Sequence, residues 1–89
     1  MNFEEQTLAI LVIEAGHVLI ARVQGGGDGT LRAYNARTIR TWGTTKGLGE
    51  LYDGPTKETV LDARVPLILQ PLSKVIYVLP VSENAKWGV

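Results

Sequence analysis

Residues 7–24 read TLAILVIEAGHVLIARVQ, and this stretch decides the fold. Residues 7–14 are β-branched and aliphatic with hardly any alternation. Such a run is typical of a strand that is buried on both faces, or buried on one face and covered by a partner on the other. Ala15-Gly16 follows as a two-residue connection, in which Gly16 supplies any positive φ that the turn needs. Residues 17–24 form a second run, so the stretch predicts a β-hairpin.

Further strand candidates follow the hairpin. Residues 25–29, GGGDG, predict a hairpin tip, because no helix pattern follows that would present amides to a phosphate. Residues 31–42 read as a third strand, and Asn35 near its middle favours a bend or bulge. Residues 59–65 are a short candidate, and residues 74–79, KVIYVL, form a strand by residue type.

Two prolines limit what can lie between these last candidates. Pro66 and Pro71 bracket the apolar residues 67–69, and a central strand cannot lose two hydrogen-bond donors. We therefore expect this piece at an edge or in a crossing loop. Residues 82–87 predict a last helical turn that is N-capped by Ser82, with Trp87 packed back on the domain.

The pattern changes after Gly43. Leu48, Leu51 and Tyr52 have the i, i+3, i+4 spacing of a short helix, and Gly54-Pro55 is typical of its end. We expect these three apolar side chains to anchor the helix. About five short strands with one short helix after the third predict an all-β fold, a small barrel or sandwich of SH3-like or OB-like type. Residues 1–89 form a single domain.

Composition narrows the functional classes. The chain has 89 residues, no cysteine and one histidine, which leaves neither disulfides nor a thiolate metal site to support a small core. We therefore expect a homo-oligomer, in which a second copy covers the outer face of residues 7–14. Nine basic and nine acidic residues argue against a domain that coats nucleic acid or a membrane by bulk charge. The chain shows neither a secretion signal nor a membrane-spanning run, so we expect a cytoplasmic protein.

Residues 37–59, RTIRTWGTTKGLGELYDGPTKET, form the candidate ligand site. Guanidinium groups offer forked donors to phosphate, and a tryptophan offers a flat face to a base or ring. Glycine amides, threonine hydroxyls and an ammonium group directly before a short helix favour an anion. The same residues can instead serve turns and a core. The predicted ligand-binding residues are Arg37, Arg40, Trp42, Thr44, Thr45, Lys46 and Gly47.

Part of this segment resembles a known protein family. Residues 36–51 carry Ala-Arg-x-Ile-Arg-x-Trp-Gly-Thr-Thr-x-Gly-Leu-Gly-Glu-Leu, followed by Gly-Pro-Thr at 54–56 and Thr-Val-Leu-Asp at 59–62. This pattern is similar to the signature of an uncharacterised family of small phage and prophage proteins. The resemblance implies a phage or prophage origin and no known activity, and it assigns no catalytic residue.

Catalysis has little support in the sequence. His17 lies beside a hairpin turn, where a solvated or capping histidine is commoner than a general base. Ser73 and Ser82 have no base nearby in sequence. Glu50 and Asp53, at i, i+3, are more typical of a solvated pair than of a magnesium site. We therefore expect a protein that is not an enzyme and holds neither a cofactor nor a metal.

Three non-enzymatic functions stay open. The first is the holding of a phosphate-bearing small ligand, which for a phage protein would be a host nucleotide signal kept away from its receptor, a counter-defence by sequestration. The second is a single-stranded nucleic-acid-binding module that uses Trp42, Tyr34 and the nearby arginines. The third is a structural or partner-inhibiting phage protein.

Overall fold

The computed structural model describes residues 2–41, 43 and 48–89, with the backbone alone for residues 48–50. The strands are β1 (Phe3–Ile13), β2 (His17–Gly25), β3 (Thr30–Thr41), β4 (Val60–Leu61), β5 (Val65–Pro71) and β6 (Val75–Pro80). Short 3-10 helices lie at Glu14–Gly16, Leu48–Asp53 and Leu72–Lys74, and the described residues contain no α-helix. The all-β prediction is confirmed. The segment for which the sequence predicted a short helix is a 3-10 helix.

All strand pairs are antiparallel. Hydrogen-bonded neighbours run in the order β4-β3-β2-β1-β6, and β5 also pairs with β3. Since β1 and β3 point the same way, β5 and β6 must both point the opposite way, on opposite edges of the sheet. Only the 3-10 helix Leu72–Lys74 separates these two strands. The sheet therefore curls strongly, so that the chain passes from one edge to the other within three residues.

The first hairpin differs slightly from the prediction. Ile13 pairs with His17, so the connection has three residues, Glu14–Gly16, where two were predicted. The expected positive φ at Gly16 is present at 79°, and Ala15 also has a positive φ, of 70°. Two consecutive positive φ values are typical of hairpin turns whose twist matches that of the flanking strands.

The bulge predicted at Asn35 is confirmed. Asn35 has a φ of 54°, and the β2–β3 register shifts between Ile20 and Arg22. The pairing of β3 with β5 continues through the same region without a shift. A bulge of this kind bends the strand and changes which side chains face the core.

Hydrophobic side chains form two cores, one on each face of the sheet. The inner core contains Ala9, Leu11, Leu19, Ala21, Val23, Leu31, Ala33 and Ala36. The outer core contains Leu8, Ile10, Val18, Ile20, Ile39, Leu51, Val81 and Trp87. Because successive side chains of a strand point to opposite faces, β1 and β2 contribute to both cores. The continuous apolar run of β1 is therefore buried on both faces within one chain.

Residues 81–89, here called the C-terminal strap, cover the outer core. Val81 N donates to Leu8 O at 3.0 Å, and Trp87 is buried against the sheet. Ser82 Oγ accepts from Asn84 N, and Ser82 O accepts from Ala85 N. These bonds form a turn, so the helical turn that the sequence predicted at 82–87 is wrong. The expectation that a second copy covers this face of β1 is wrong, because the chain's own strap covers it.

Two details of the predicted packing are resolved. β5 pairs with β3 alone, which confirms the edge position that its two prolines predicted. Leu51 is completely buried in the outer core, as predicted, whereas Tyr52 is half exposed and does not anchor the 3-10 helix. The side chain of Leu48 lies outside the described residues.

Candidate ligand-binding site

The structure describes two of the predicted ligand-binding residues. Arg37 and Arg40 lie on the last part of β3, after the bulge. The remaining predicted residues lie outside the described residues, and they are Trp42, Thr44, Thr45, Lys46 and Gly47. The described part of the site is therefore built around the two arginines.

Asp62 connects these two arginines. Arg37 Nε donates to the backbone oxygen of Asp62 at 2.8 Å, and Arg40 Nε donates to its carboxylate Oδ1 at 2.8 Å. The pairing of β3 with β4 sets this position, because Asp62 N donates to Thr38 O at 2.9 Å directly after the two-residue β4. Asp62 thus orients the guanidinium groups of two residues that lie three positions apart on β3, Arg37 and Arg40.

The contact with Asp62 favours the charged form of Arg40. The hydrogen bond that Arg40 donates to Asp62, and then the negative charge of Asp62, raise the pKa of Arg40 above its ordinary value. The side chain of Arg40 is 69 % exposed, so solvent screens the pair and its contribution to folding stability is small. The contact therefore matters for where the guanidinium group lies more than for how firmly the chain folds.

A third arginine, Arg64, joins the site from the segment after β4. It donates through Nη2 to the backbone oxygen of Gly88 in the C-terminal strap. A side chain built on Gly88 would begin 3.7 Å from Arg37 Nη1 and 3.9 Å from Arg64 Nη2, so the two guanidinium groups flank this glycine. We call Arg37, Arg40 and Arg64 the arginine cluster.

Sequence reasoning missed Arg64. It lies outside residues 37–59, and it reaches the cluster only because the strap folds back over the sheet. The single signal in the sequence is its position two residues after Asp62, on the same side of a short extended segment. Nothing in that spacing indicates the partner Gly88.

Part of the glycine- and threonine-rich segment has an architectural role. A side chain on Gly43 would begin 2.4 Å from the backbone carbon of Glu58, and Gly43 has a φ of 69°. Thr56 Oγ1 donates to Gly43 O at 2.6 Å and lies 3.1 Å from Thr59 Oγ1. The turn at 56–59 is thus packed directly on the backbone at residue 43, where only glycine fits.

The other candidate residues form no chemical site in the described part of the chain. His17 is exposed at the hairpin, and Asp53 is exposed at the end of its 3-10 helix. Histidine and acidic side chains of the described residues form no group placed to hold a metal ion. These residues also enclose no cavity, so a ligand at the arginine cluster would lie on an open surface.

No helix within the described residues is long and apolar enough to cross a membrane.

No family model, no curated protein and no solved structure matches this chain. The resemblance to small phage proteins therefore stays a prediction, and the functional argument rests on the residues themselves.

Proposed function

We propose that this protein is a non-catalytic binding module that holds a phosphate-bearing ligand of nucleotide type at the arginine cluster. In a phage or prophage protein, such a ligand would be a host nucleotide signal, sequestered in the host cytoplasm as a counter-defence. Sequestration requires that the protein bind the ligand tightly and be present in many copies, and it makes and breaks no covalent bond. The observation that carries the proposal is the gathering of three arginine side chains around Asp62 and Gly88, of which Arg40 alone bonds to a carboxylate.

The charges favour an anion as the ligand. Within the described residues, Arg40 bonds to the carboxylate of Asp62, whereas Arg37 and Arg64 bond to the backbone oxygens of Asp62 and Gly88. The cluster therefore has an excess of positive charge within a chain of zero net charge. The two bonds to Asp62 use the Nε atoms. Phosphate recognition by arginine typically uses two parallel N–H donors, and the terminal Nη atoms take no part in these two bonds.

The fold supports a binding role on an open surface. We propose that the curled sheet is a partly open barrel of SH3-like type. β1, β2, β3 and β5 neighbour one another in chain order, whereas the OB fold is a Greek-key barrel. Such barrels host many unrelated functions, so the fold alone assigns no ligand.

A single-stranded nucleic acid is the second candidate ligand. Tyr34 lies on β3 before the bulge, and it pairs across the sheet with Arg22 on β2 and Leu67 on β5. An aromatic ring beside basic side chains is typical of a surface on which bases stack. The zero net charge disfavours this candidate. A structural or partner-inhibiting role is the third candidate, and the exposed apolar side chains described below would serve it.

Calorimetric titration separates these candidates. We expect a cyclic mononucleotide or an ADP-ribose-type compound to bind saturably, with an affinity that changes little with salt. Arg40→Ala and Arg64→Ala should each weaken binding by about 10- to 100-fold, the range for one charge-assisted hydrogen bond. Arg32→Ala is the matched control, because Arg32 lies on the same strand before the bulge.

Binding that strengthens with oligonucleotide length and falls steeply with salt would favour the nucleic-acid candidate instead. Equal losses for Arg32→Ala and Arg40→Ala would show that the cluster is not the site. If neither ligand class binds, and the cluster variants lose stability, the arginines serve architecture and the proposal is wrong.

A further inference from the structure

The exposed apolar side chains are concentrated on one part of the chain. Residues 65–77, here called the apolar arch, run from β5 through the 3-10 helix Leu72–Lys74 into β6. Most of the large hydrophobic side chains that the described residues expose lie on the arch, and these are Val65, Leu67, Leu69, Ile76 and Tyr77. Tyr52 and Val60 are the others. A concentration of this kind on a small soluble domain is typical of an interaction surface.

Local geometry explains why these side chains face outward. Val65, Leu67 and Leu69 alternate along β5, so they share one face, while Ile68 between them packs against the inner core. On β6, the register with β1 shifts between Val12 and Ile13, which places a bulge at Ile76. The exposure of the β5 side chains and that of Ile76 therefore both follow from how the strands pair.

The exposed side chains have no cover within the described chain. The C-terminal strap lies over the outer core of β1 and β2 and leaves the arch open. Removing such apolar side chains from water lowers the free energy. A domain of this size, without disulfides, has few other means of support.

We propose that the apolar arch is the interface of a two-fold homodimer, covered by the arch of a second copy. A two-fold interface uses the same surface on both partners and must therefore complement itself. The arch satisfies this condition, because Lys74 is its only charged residue and the strip does not repel its own copy. Lys74 Nζ lies 3.3 Å from Glu14 Oε2, so opposite charges sit side by side and can pair across the two-fold axis.

The prolines of β5 limit the assembly. Pro66 and Pro71 are five residues apart on a regularly paired strand, so their nitrogens face opposite edges and one of them removes a backbone donor from the free edge, which disfavours the addition of further strands there. Two copies that meet through their arches cover each other's apolar side chains and leave no second interface of this kind. We therefore expect a closed dimer with twice the chain mass of 9.7 kDa. This proposal is independent of any ligand at the arginine cluster.

Sedimentation velocity over a concentration series tests the proposal with a matched pair of variants. Leu67 on the arch and Val60 on β4 are 45 % and 46 % exposed, so lysine at either position disturbs folding to a similar extent. We expect the wild-type protein and Val60→Lys to sediment as dimers at micromolar concentration, and Leu67→Lys as a monomer. Thermal melting by circular dichroism verifies that both variants fold.

Hydrogen exchange of the wild-type protein gives a second measurement that needs no variant. Amides of residues 65–77 should exchange several-fold more slowly as the concentration rises, while amides of the strap should not change. A wild-type monomer at about 100 μM, the typical range of weak interfaces, would overturn the proposal. A dimer that persists in Leu67→Lys, or that dissociates equally in Val60→Lys, would also overturn it.

Discussion

The inner and outer cores of this protein are built from the same two strands but are closed in different ways. The inner core is closed by strands and is rich in alanine, with Ala9, Ala21, Ala33 and Ala36 completely buried. The outer core contains larger side chains, including Trp87, and is closed by the strap and the 3-10 helix Leu48–Asp53. Small side chains allow the sheet to curl tightly, whereas a broad apolar face needs a separate cover.

Because the two cores are closed in different ways, we expect them to differ in their resistance to local unfolding. The inner core is supported by the hydrogen-bond ladders of β1, β2, β3 and β5. The strap is held to the rest of the chain by isolated bonds, such as Val81 N to Leu8 O and Ser82 N to Tyr52 O. Its attachment therefore depends mainly on buried side chains. We expect substitutions in the strap to open the outer core while the ladders of the inner core persist.

Trp87→Ala should have the largest effect. Trp87 is the largest fully buried side chain among the described residues, and its truncation should lower the free energy of unfolding by about 3–5 kcal/mol. Chemical denaturation measures the change. Trp87→Phe should lose much less, because it keeps an aromatic ring and the indole Nε1 makes no hydrogen bond with the described residues. Equal losses for Trp87→Ala and the neighbouring exposed Lys86→Ala would contradict the role of the strap.

Leu51→Ala should have the next largest effect, about 2–3 kcal/mol, as expected for a truncated core leucine. Leu51 is the buried contact of the 3-10 helix with the outer core. Tyr52→Ala is its control, since Tyr52 is half exposed and should cost far less. Thermal melting of both variants checks the difference, and an unchanged melting temperature for Leu51→Ala would show that the helix does not close the core.

The inner core should be sensitive to the opposite change. Ala21→Leu adds volume where the strands curl closely and should cost about 1–3 kcal/mol. The same addition at Ala85, which is only partly buried at the margin of the outer core, should cost less because the strap can shift. Urea denaturation of the two variants compares the cores. A larger loss at Ala85 would mean that the strap is packed as rigidly as the strands.

Glu83→Gln should have the smallest effect at neutral pH, about 0–1 kcal/mol, as for an exposed ion pair. Glu83 binds Arg22 at 2.8 Å and accepts from Leu8 N at 3.1 Å. The hydrogen bond from Arg22, and then that from Leu8 N, lower the pKa of Glu83 below its ordinary value of 4.5. Because the folded state has the lower pKa, this contact stabilises the protein above pH 4.5 and is lost as the pH falls through the folded-state pKa.

The stability difference between the wild-type protein and Glu83→Gln should therefore vanish or reverse in acid. Melting temperatures between pH 3 and pH 7, a span that brackets ordinary glutamate titration, measure this difference. A difference that stays constant over the whole range would show that Glu83 does not hold the strap by its charge.

Much of the fold was predictable because it follows from local patterns. The β-branched runs predicted strands, Asn35 predicted the bulge, and the prolines of β5 predicted an edge position. The burial of Leu51 and Trp87 also followed from their residue type and spacing. Each of these signals lies within a few neighbouring residues.

The cover of the outer face was not predictable in the same way. Residues 81–89 form no strand and no helix, so they carry no periodic signal that indicates which surface they cover. For the same reason the approach of Arg64 to Gly88 could not be anticipated. Tyr52 was misplaced because the 3-10 helix turns its side chains through a different angle from the α-helix that its spacing indicated.

The most direct test of ligand binding at the arginine cluster is a nuclear magnetic resonance titration of the arginine Nε–Hε groups with a cyclic mononucleotide. The chain has five arginines, which provide both the site and its controls. We expect saturable shifts at Arg37, Arg40 and Arg64, with no change at Arg22 and Arg32. An absence of shifts at millimolar nucleotide, the weakest range of specific binding, or shifts confined to Arg22 and Arg32, would contradict the proposed site.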